Sequence, residues 1–213
     1  MSGQLTLVRH GETTDNLKGV WSGIRNVSLT EKGRADAVKF GEVLRDKTFD
    51  LIYVSQLKRS RQTLEGLLKG YGQKTKAKIR KTGAIDERDY GRLAGRDKWQ
   101  LKADFGTHAW TDIRRGWDVP IPDGETLKDV YERVVPWYKE IVLPQLQKGK
   151  NVLIVAHGNS NRALRKYLEN LTAESVRFAE MDLDKVRIYD LRPNGRAKRV
   201  LIRTIKTTRT HRY

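Results

Sequence analysis

Arg9-His10-Gly11 and Ala156-His157-Gly158 each place a histidine before a glycine at the end of an apolar run. Neutral imidazole is a nucleophile, provided its second ring nitrogen is held as a donor. A phosphoryl group suits such a nucleophile. Its negative charge spreads over equatorial oxygens, and these need cations around them. Arg9 and Arg59 are the candidate clamp, because a guanidinium offers bidentate geometry that lysine lacks. His157, when protonated, is a further donor to the same oxygens. Phosphoryl transfer also needs a proton donor for the leaving oxygen. Glu87 is the candidate, set in the polar stretch Ile85-Asp86-Glu87-Arg88-Asp89-Tyr90-Gly91. On charge pattern alone a surface pair between Glu87 and Arg88 stands about even with that role, and Asp86 and Asp89 stay open.

These residues have to be delivered to one place. The runs at 4–9, 51–54 and 152–156 read as buried strands. Amphipathic helices are expected from Thr30 to about Asp46, with Ala35, Val38 and Leu44 inward, and over 57–70, 97–105, 125–147 and 160–170. Pro136 is expected to kink the long helix and Pro144 to end its regular part. Thr13 to Lys18 reads as a short helix whose free N–H groups face His10, and Gly11 as a place where backbone approaches a ligand. A short strand is expected at 78–80, and a terminal hairpin turns at Pro193-Asn194-Gly195. Alternating strand and helix predicts an α/β fold: a mostly parallel central sheet with helices on both faces. In such folds the groups at the carboxyl ends of the strands share one crevice. The chain divides into a single domain over 1–206, with an insertion at about 84–124 capping the site, and a basic, mobile tail at 207–213.

Net charge is +17 over 213 residues, and residues 192–213 contribute eight Lys/Arg with no Asp or Glu. Nucleic acid, an anionic membrane or an anionic small substrate are the partners this charge allows. No apolar run approaches the roughly 20 residues of a membrane helix. Trp21, Trp99, Trp110, Trp117 and Trp137 read as packing residues, and no RNA-binding motif accompanies them. A small anionic phosphorylated substrate is therefore expected, with nucleic-acid binding on an inactive enzyme fold as a distant alternative. Cysteine is absent, which excludes disulfides and thiol chemistry. His108 and His211 have no ligand-like neighbours, so no metal is expected. A soluble, cytoplasmic protein fits these features.

The stretches Leu7-Val8-Arg9-His10-Gly11-Glu12-Thr13 with Asn16, Ser55-Gln56-Leu57-Lys58-Arg59, Glu87-Arg88-Asp89-Tyr90-Gly91, Arg114-Arg115-Gly116-Trp117-Asp118 and Ala156-His157-Gly158-Asn159-Ser160 together resemble the histidine phosphatase superfamily. Within it, the match to the cofactor-dependent phosphoglycerate mutase family is close. The resemblance covers about residues 4 to 190. It implies His10 as the nucleophile that becomes phosphohistidine and Glu87 as general acid/base. Arg9, Arg59, His157 and the Gly158 backbone would hold the transferring group, in a pocket shaped by Asn16, Ser22 and Gly23. Tyr90, Lys98, Arg114, Arg115 and Asn159 would bind the carboxylate and second phosphate of the substrate. The implied reaction interconverts 2- and 3-phosphoglycerate, with 2,3-bisphosphoglycerate as primer and intermediate and no metal. The runner-up is a phosphatase of the same superfamily acting on phosphoglycerates or other small phosphate esters. Many family members carry a longer segment near 118–123, linked to their oligomer contacts; the short one here leaves monomer or homodimer. The family's tail can also close over the site, whereas the basic tail here is expected either to close in that way or to attract anionic substrate.

Overall fold

The computed structural model of the chain describes residues 2–207. Its strands are β1 (Leu5–Arg9), β2 (Leu51–Ser55), β3 (Lys78–Thr82), β4 (Val152–Ala156), β5 (Lys185–Leu191) and β6 (Ala197–Thr204). They form one sheet in the order β3-β2-β4-β1-β5-β6. The first four are mutually parallel; β5 pairs antiparallel with β1, and β6 antiparallel with β5. The expected mostly parallel α/β sheet is thus present. β4 at its centre is apolar throughout, and β1 and β2 beside it are nearly so, because both faces are covered.

The helices are α1 (Thr14–Leu17), α2 (Glu31–Glu42), α3 (Lys58–Tyr71), α4 (Lys98–Arg115), α5 (Leu127–Trp137), α6 (Leu143–Gln147) and α7 (Gly158–Leu168). Alternation along the strands sorts the core into two layers. Leu5, Leu7, Tyr53, Val152 and Ile154 pack with Leu127, Val130, Val134 and Leu164 of α5 and α7. Val8, Ile52, Val54, Leu153 and Val155 pack with Phe40 of α2, Leu44 just beyond it, and Leu64 and Leu67 of α3. A third, smaller cluster joins Trp21, Tyr90, Leu93, Leu101, Trp110 and Ile121. It organises the strand-free stretch after β3. Both edges of the sheet carry exposed cations, Lys78, Arg80 and Lys81 on β3 and Lys198 and Arg199 on β6. Charges there discourage edge-to-edge pairing, so part of the positive balance belongs to the sheet rather than to the cleft.

Several elements depart from expectation. Helix α2 stops at Glu42, and its inner face is Ala37, Phe40 and Gly41; Ala35 is exposed. Helix α4 is two segments joined across a kink at Gly106 (φ 77°, ψ 160°): the first, 98–105, matches the expected helix, and the second, 107–115, was not expected. Beyond Pro136 the backbone widens into a π-turn over Tyr138–Val142, with the N–H of Leu143 bonded to the carbonyl of Tyr138. It then resumes as α6, so Pro144 opens the last turn instead of closing the helix. Each proline lacks an N–H, and the π register lies between them. Trp99 is half exposed and does not serve as core. Apart from Thr207, the tail expected at 207–213 lies outside the described residues. Among those described, no helix is long and apolar enough to cross a membrane.

Candidate active site

Parallel pairing places Arg9 of β1 opposite Ala156 of β4. The next residue on each strand is a histidine. The N–H of His10 donates to the carbonyl of Ala156 at 3.0 Å, and the two imidazoles stand 5.0 Å apart between centroids, tilted by 56°. Both are buried. His10 Nδ1 lies 2.8 Å from the carbonyl oxygen of Gly11. A carbonyl only accepts, so Nδ1 carries the proton and Nε2 keeps its lone pair. Burial, then Arg59 and Arg9, hold His10 well below the usual histidine range against the raising effect of the Gly11 carbonyl. The ring is therefore a neutral nucleophile at pH 7.

His157 is held from both sides. Its Nδ1 accepts from Nε of Arg59 at 3.1 Å. Its Nε2 lies 2.6 Å from Oγ of Ser55 and 3.1 Å from Oγ of Ser60. Ser55 donates its own proton to Oδ1 of Asp86 at 2.7 Å, so it accepts from the Nε2–H of His157. In this state both ring nitrogens have protein partners. The expected donor to a phosphoryl group is instead the acceptor that orients Arg59. Burial first, then Arg59, His10, Arg9 and Arg133, push its pKa well down.

Arg59 lies at the start of α3 and is 1% exposed. Besides its bond to His157 it donates from Nη1 to the carbonyl of Arg25 at 2.8 Å and from Nη2 to that of Gly23 at 2.7 Å. Gly23 has φ +52°, so the loop before α2 can turn that carbonyl inward. Burial, outweighing the attraction of Glu87, lowers the Arg59 pKa to about 10; it stays charged. Arg9 donates from Nη1 to the carbonyl of Met181 at 2.8 Å, while its Nε is buried without a partner.

Glu87 sits on the N-terminus of α7. Oε1 accepts from the N–H of Arg88 at 2.8 Å and of Asn159 at 3.0 Å; Oε2 accepts from the N–H of Gly158 at 3.0 Å. A carboxylate there meets unpaired amides and the positive end of the helix dipole. The Gly158 backbone, expected at the phosphoryl group, is thus engaged by Glu87. Neither alternative acid reaches the cleft: Asp86 is bound to Ser55 and to the N–H of Gln56, and Asp89 accepts from Gly91.

One cleft is lined by Arg9, His10, Asn16, Ser22, Gly23, Arg59, Glu87, Tyr90, Lys98, Arg114, Arg115, Gly158 and Asn159. All the candidate residues therefore converge there except His157, which lies behind Arg59. Lys98 opens the first segment of α4 and Arg114 and Arg115 end the second; the break at Gly106 folds the two together, with Trp110 Nε1 donating to the Lys98 carbonyl at 3.0 Å, and so brings the three cations to the cleft. Burial, with Arg114 and Arg9 adding repulsion, lowers Lys98 to about 8. Arg114 lies 5.0 Å over the ring of Trp110. Tyr90 stacks on Trp21 at 4.8 Å and accepts from Nδ2 of Asn159 at 3.2 Å.

Further residues line the same cleft: Val20, Trp21, Arg162, Glu180 and Met181. Arg162 was legible in one respect, standing one helical turn beyond Gly158 on α7. It is 3% exposed, donates to Oδ1 of Asn159 at 2.9 Å, and leaves a buried Nε unpaired. Glu180 has no motif around it that could have marked it.

Two further expectations change. The N–H groups opening α1 are taken up within the protein: Thr13 Oγ1 accepts from the Asn16 N–H, Asn16 Oδ1 accepts from the Thr13 N–H and hydroxyl, and the Thr14 N–H donates to the Ser28 carbonyl. The close approach at Gly11 is to backbone: a Cβ on it would lie 2.5 Å from the carbonyl oxygen of Gly33. The loop after His10 thus packs backbone to backbone on α2, and the N–H of Gly11 donates to Oγ1 of Thr63 at 3.0 Å.

Chemically, the inner end holds a neutral nucleophile between two guanidiniums and a carboxylate on a helix terminus. His10, Glu87 and His157 also offer three ligand atoms within 4.8 Å of one another. Arg9 and Arg59 beside them favour an anion over a cation there. Buried guanidinium N–H groups without acceptors point the same way.

Comparison with known proteins agrees with this geometry. The chain is 41% identical to the 2,3-bisphosphoglycerate-dependent phosphoglycerate mutase of Rhodopseudomonas palustris, over 88% of this chain and 91% of that protein. It is equally 41% identical to the protein of that name from Brucella anthropi, over 90% and 93%. Among solved structures, a mycobacterial glucosyl-3-phosphoglycerate phosphatase complexed with VO3 superposes with a TM-score of 0.80 at 25% identity, covering 97% of this chain and all of its own. The family model described as histidine phosphatase superfamily, branch 1, matches residues 5–204, and the chain belongs to that superfamily.

Proposed function

We propose that the protein is a 2,3-bisphosphoglycerate-dependent phosphoglycerate mutase, a soluble cytoplasmic enzyme of glycolysis and gluconeogenesis that works through phosphohistidine. The observation that carries this reading is one cleft lined by cations. Arg9 and Arg59 act on His10, and Lys98, Arg114 and Arg115 add three more cations to the lining of the same cleft. A substrate with a phosphate at one end and a carboxylate or second phosphate at the other matches that number of cations in one cleft. The named relatives at 41% identity support it.

His10 Nε2 attacks phosphorus and the P–O bond to the substrate oxygen breaks. Glu87, having taken the proton of the accepting hydroxyl in the preceding half-reaction, returns that proton to the leaving oxygen. Arg9 and Arg59 hold the charge on the equatorial oxygens throughout. In the return step Glu87 takes the proton from the accepting hydroxyl as the P–N bond breaks. Because two phosphates can exchange places on one carbon skeleton, 2,3-bisphosphoglycerate is both primer and intermediate. Asn16, Ser22 and Gly23 shape the inner pocket; Tyr90 and Asn159 border the outer one.

The second reading is a phosphatase, in which water takes the phosphoryl group from His10. The name of the solved neighbour at 25% identity favours it. A coupled assay for conversion of 3- to 2-phosphoglycerate, with and without 2,3-bisphosphoglycerate, separates the two. Release of inorganic phosphate without isomerisation sinks the mutase reading. His10→Ala is expected to abolish phosphoenzyme formation in either case.

A further inference from the structure

Among the cations of the outer wall, Arg115 already has a carboxylate partner: Arg115 Nη2 is ion-paired with Glu180. The two side chains differ in exposure, 18% for Arg115 and 47% for Glu180. The backbone under Glu180 is fixed. Its carbonyl accepts from Arg165, and the carbonyl of Met181, next in the chain, accepts from Arg9 at 2.8 Å. The N–H of Ala179 bonds back to Val176 at 3.1 Å. A rigid base thus carries a half-exposed carboxylate into the cleft, where both residues are part of the wall. Arg114 differs, since its flat face is taken by Trp110 and it has no carboxylate partner among the bonds of the described residues.

We propose that Glu180 is a specificity-determining residue that occupies the outer anion subsite as an internal ligand. It sets how strongly the cleft takes substrates with a distal negative group. This rests on the reading of Arg114 and Arg115 as the distal subsite. A ligand ending in a carboxylate or phosphate must displace Glu180 from Arg115 before it gains that contact. The displacement costs the ion pair but little desolvation, because Glu180 swings toward water. A ligand with a distal hydroxyl leaves the pair in place and can donate to the carboxylate. Inorganic phosphate, bound only near His10, does not test the outer subsite. The pair therefore moderates affinity for doubly anionic ligands, which an enzyme releasing such products needs.

The field of Glu180 also reaches Arg9, Arg114 and Arg162. A general electrostatic effect must therefore be told apart from displacement. Calorimetric binding of four probes does so: inorganic phosphate, glycerol 3-phosphate, 3-phosphoglycerate and 1,3-propanediol bisphosphate, each with the wild type and Glu180→Gln. The variant is expected to bind the two distal anions at least about 5-fold more tightly and inorganic phosphate within about 2-fold of wild type. Glycerol 3-phosphate is expected to bind equally or more weakly. In an Arg115→Met background the Glu180→Gln effect is expected to vanish, and Glu180→Ala repeats the test with a shorter side chain. Equal tightening of all four probes, or no tightening of the bisphosphate, overturns the proposal. If the bisphosphate tightens but 3-phosphoglycerate binds neither form better than glycerol 3-phosphate, the subsite stands and the mutase reading falls.

Discussion

The Nε–H of Arg59 donates to Nδ1 of His157 at 3.1 Å, and neither residue is accessible to solvent to any useful extent. That contact joins α3 to the end of β4 and aims the guanidinium whose two other nitrogens are tied to the carbonyls of Gly23 and Arg25. Lysine cannot replace three fixed donors with one. Arg59→Lys is expected to lose about 2–3 kcal/mol of stability, since buried acceptors are left unpaired. It is expected to slow phosphoryl transfer by about 100-fold or more, because the clamp on the transition state is lost. Urea denaturation and single-turnover phosphoenzyme formation measure the two effects. A variant with wild-type stability would show that the three bonds contribute little.

Acid sensitivity follows from the two histidines. Both have folded-state pKa values pushed well below the ordinary range, chiefly by burial. The unfolded chain therefore binds more protons once pH falls below about 6.5, and stability rises with pH through that window. Above it both states are neutral at these positions and the contribution is flat. Each histidine is expected to cost up to about 1.4 kcal/mol per pH unit below 6.5 until its folded pKa is reached. Denaturation midpoints at pH 7.5 and 5.5 read this directly. The double variant His10→Gln, His157→Gln should show a smaller difference between the two pH values, and an unchanged difference would refute the assignment.

Lys98 gives a limb on the alkaline side. With its pKa lowered to about 8 by burial and by Arg114 and Arg9, it loses its charge as pH rises through 8. Attraction for an anionic ligand falls with it, so kcat/KM is expected to decline above pH 8, the profile of the free enzyme. Lys98→Arg keeps the charge and should move the limb out of the accessible range. An identical limb in that variant would place the titration elsewhere.

The contact between the catalytic loop and α2 predicts a packing effect at a distance from the chemistry. A Cβ on Gly33 would lie 2.1 Å from the carbonyl oxygen of Glu12, an atom of the backbone that cannot turn aside. Gly33→Ala is expected to destabilise by about 2 kcal/mol or more. It should also slow phosphoenzyme formation, because the displaced loop includes the Gly11 carbonyl that fixes the His10 tautomer. Thermal unfolding and rapid-quench labelling test the pair of effects. A stable variant with slow labelling would contradict the shared cause.

The two histidines of the site were readable because each follows a buried run, and a run buried on both faces leaves little choice of element. Their neighbourhood was less so. The second segment of α4, which carries Arg114 and Arg115 back to the cleft after the break at Gly106, is polar in sequence, and its placement depends on the small core of Trp21, Leu101 and Trp110. Gly11 is a local signal whose cause is tertiary, the close passage of α2. Glu180 and the partners of His157 come from elements far apart in the chain, so no spacing announces them. Glu87 was ambiguous for the same reason: its three donors include the terminus of a helix that begins 71 residues later.

The register that sets Leu5 against Val152 and Arg9 against Ala156 also fixes when the centre can come into being. During synthesis, β1 emerges first and must wait for β4, the last of the four parallel strands to be made. Until then His10 has no partner ring, Arg59 has no acceptor at His157, and Glu87 has no helix terminus to rest on. A chain released early is therefore phosphate-blind however much local structure it has formed. Long-range pairing of this kind is slow to close, and chemical competence arrives only with the near-complete fold.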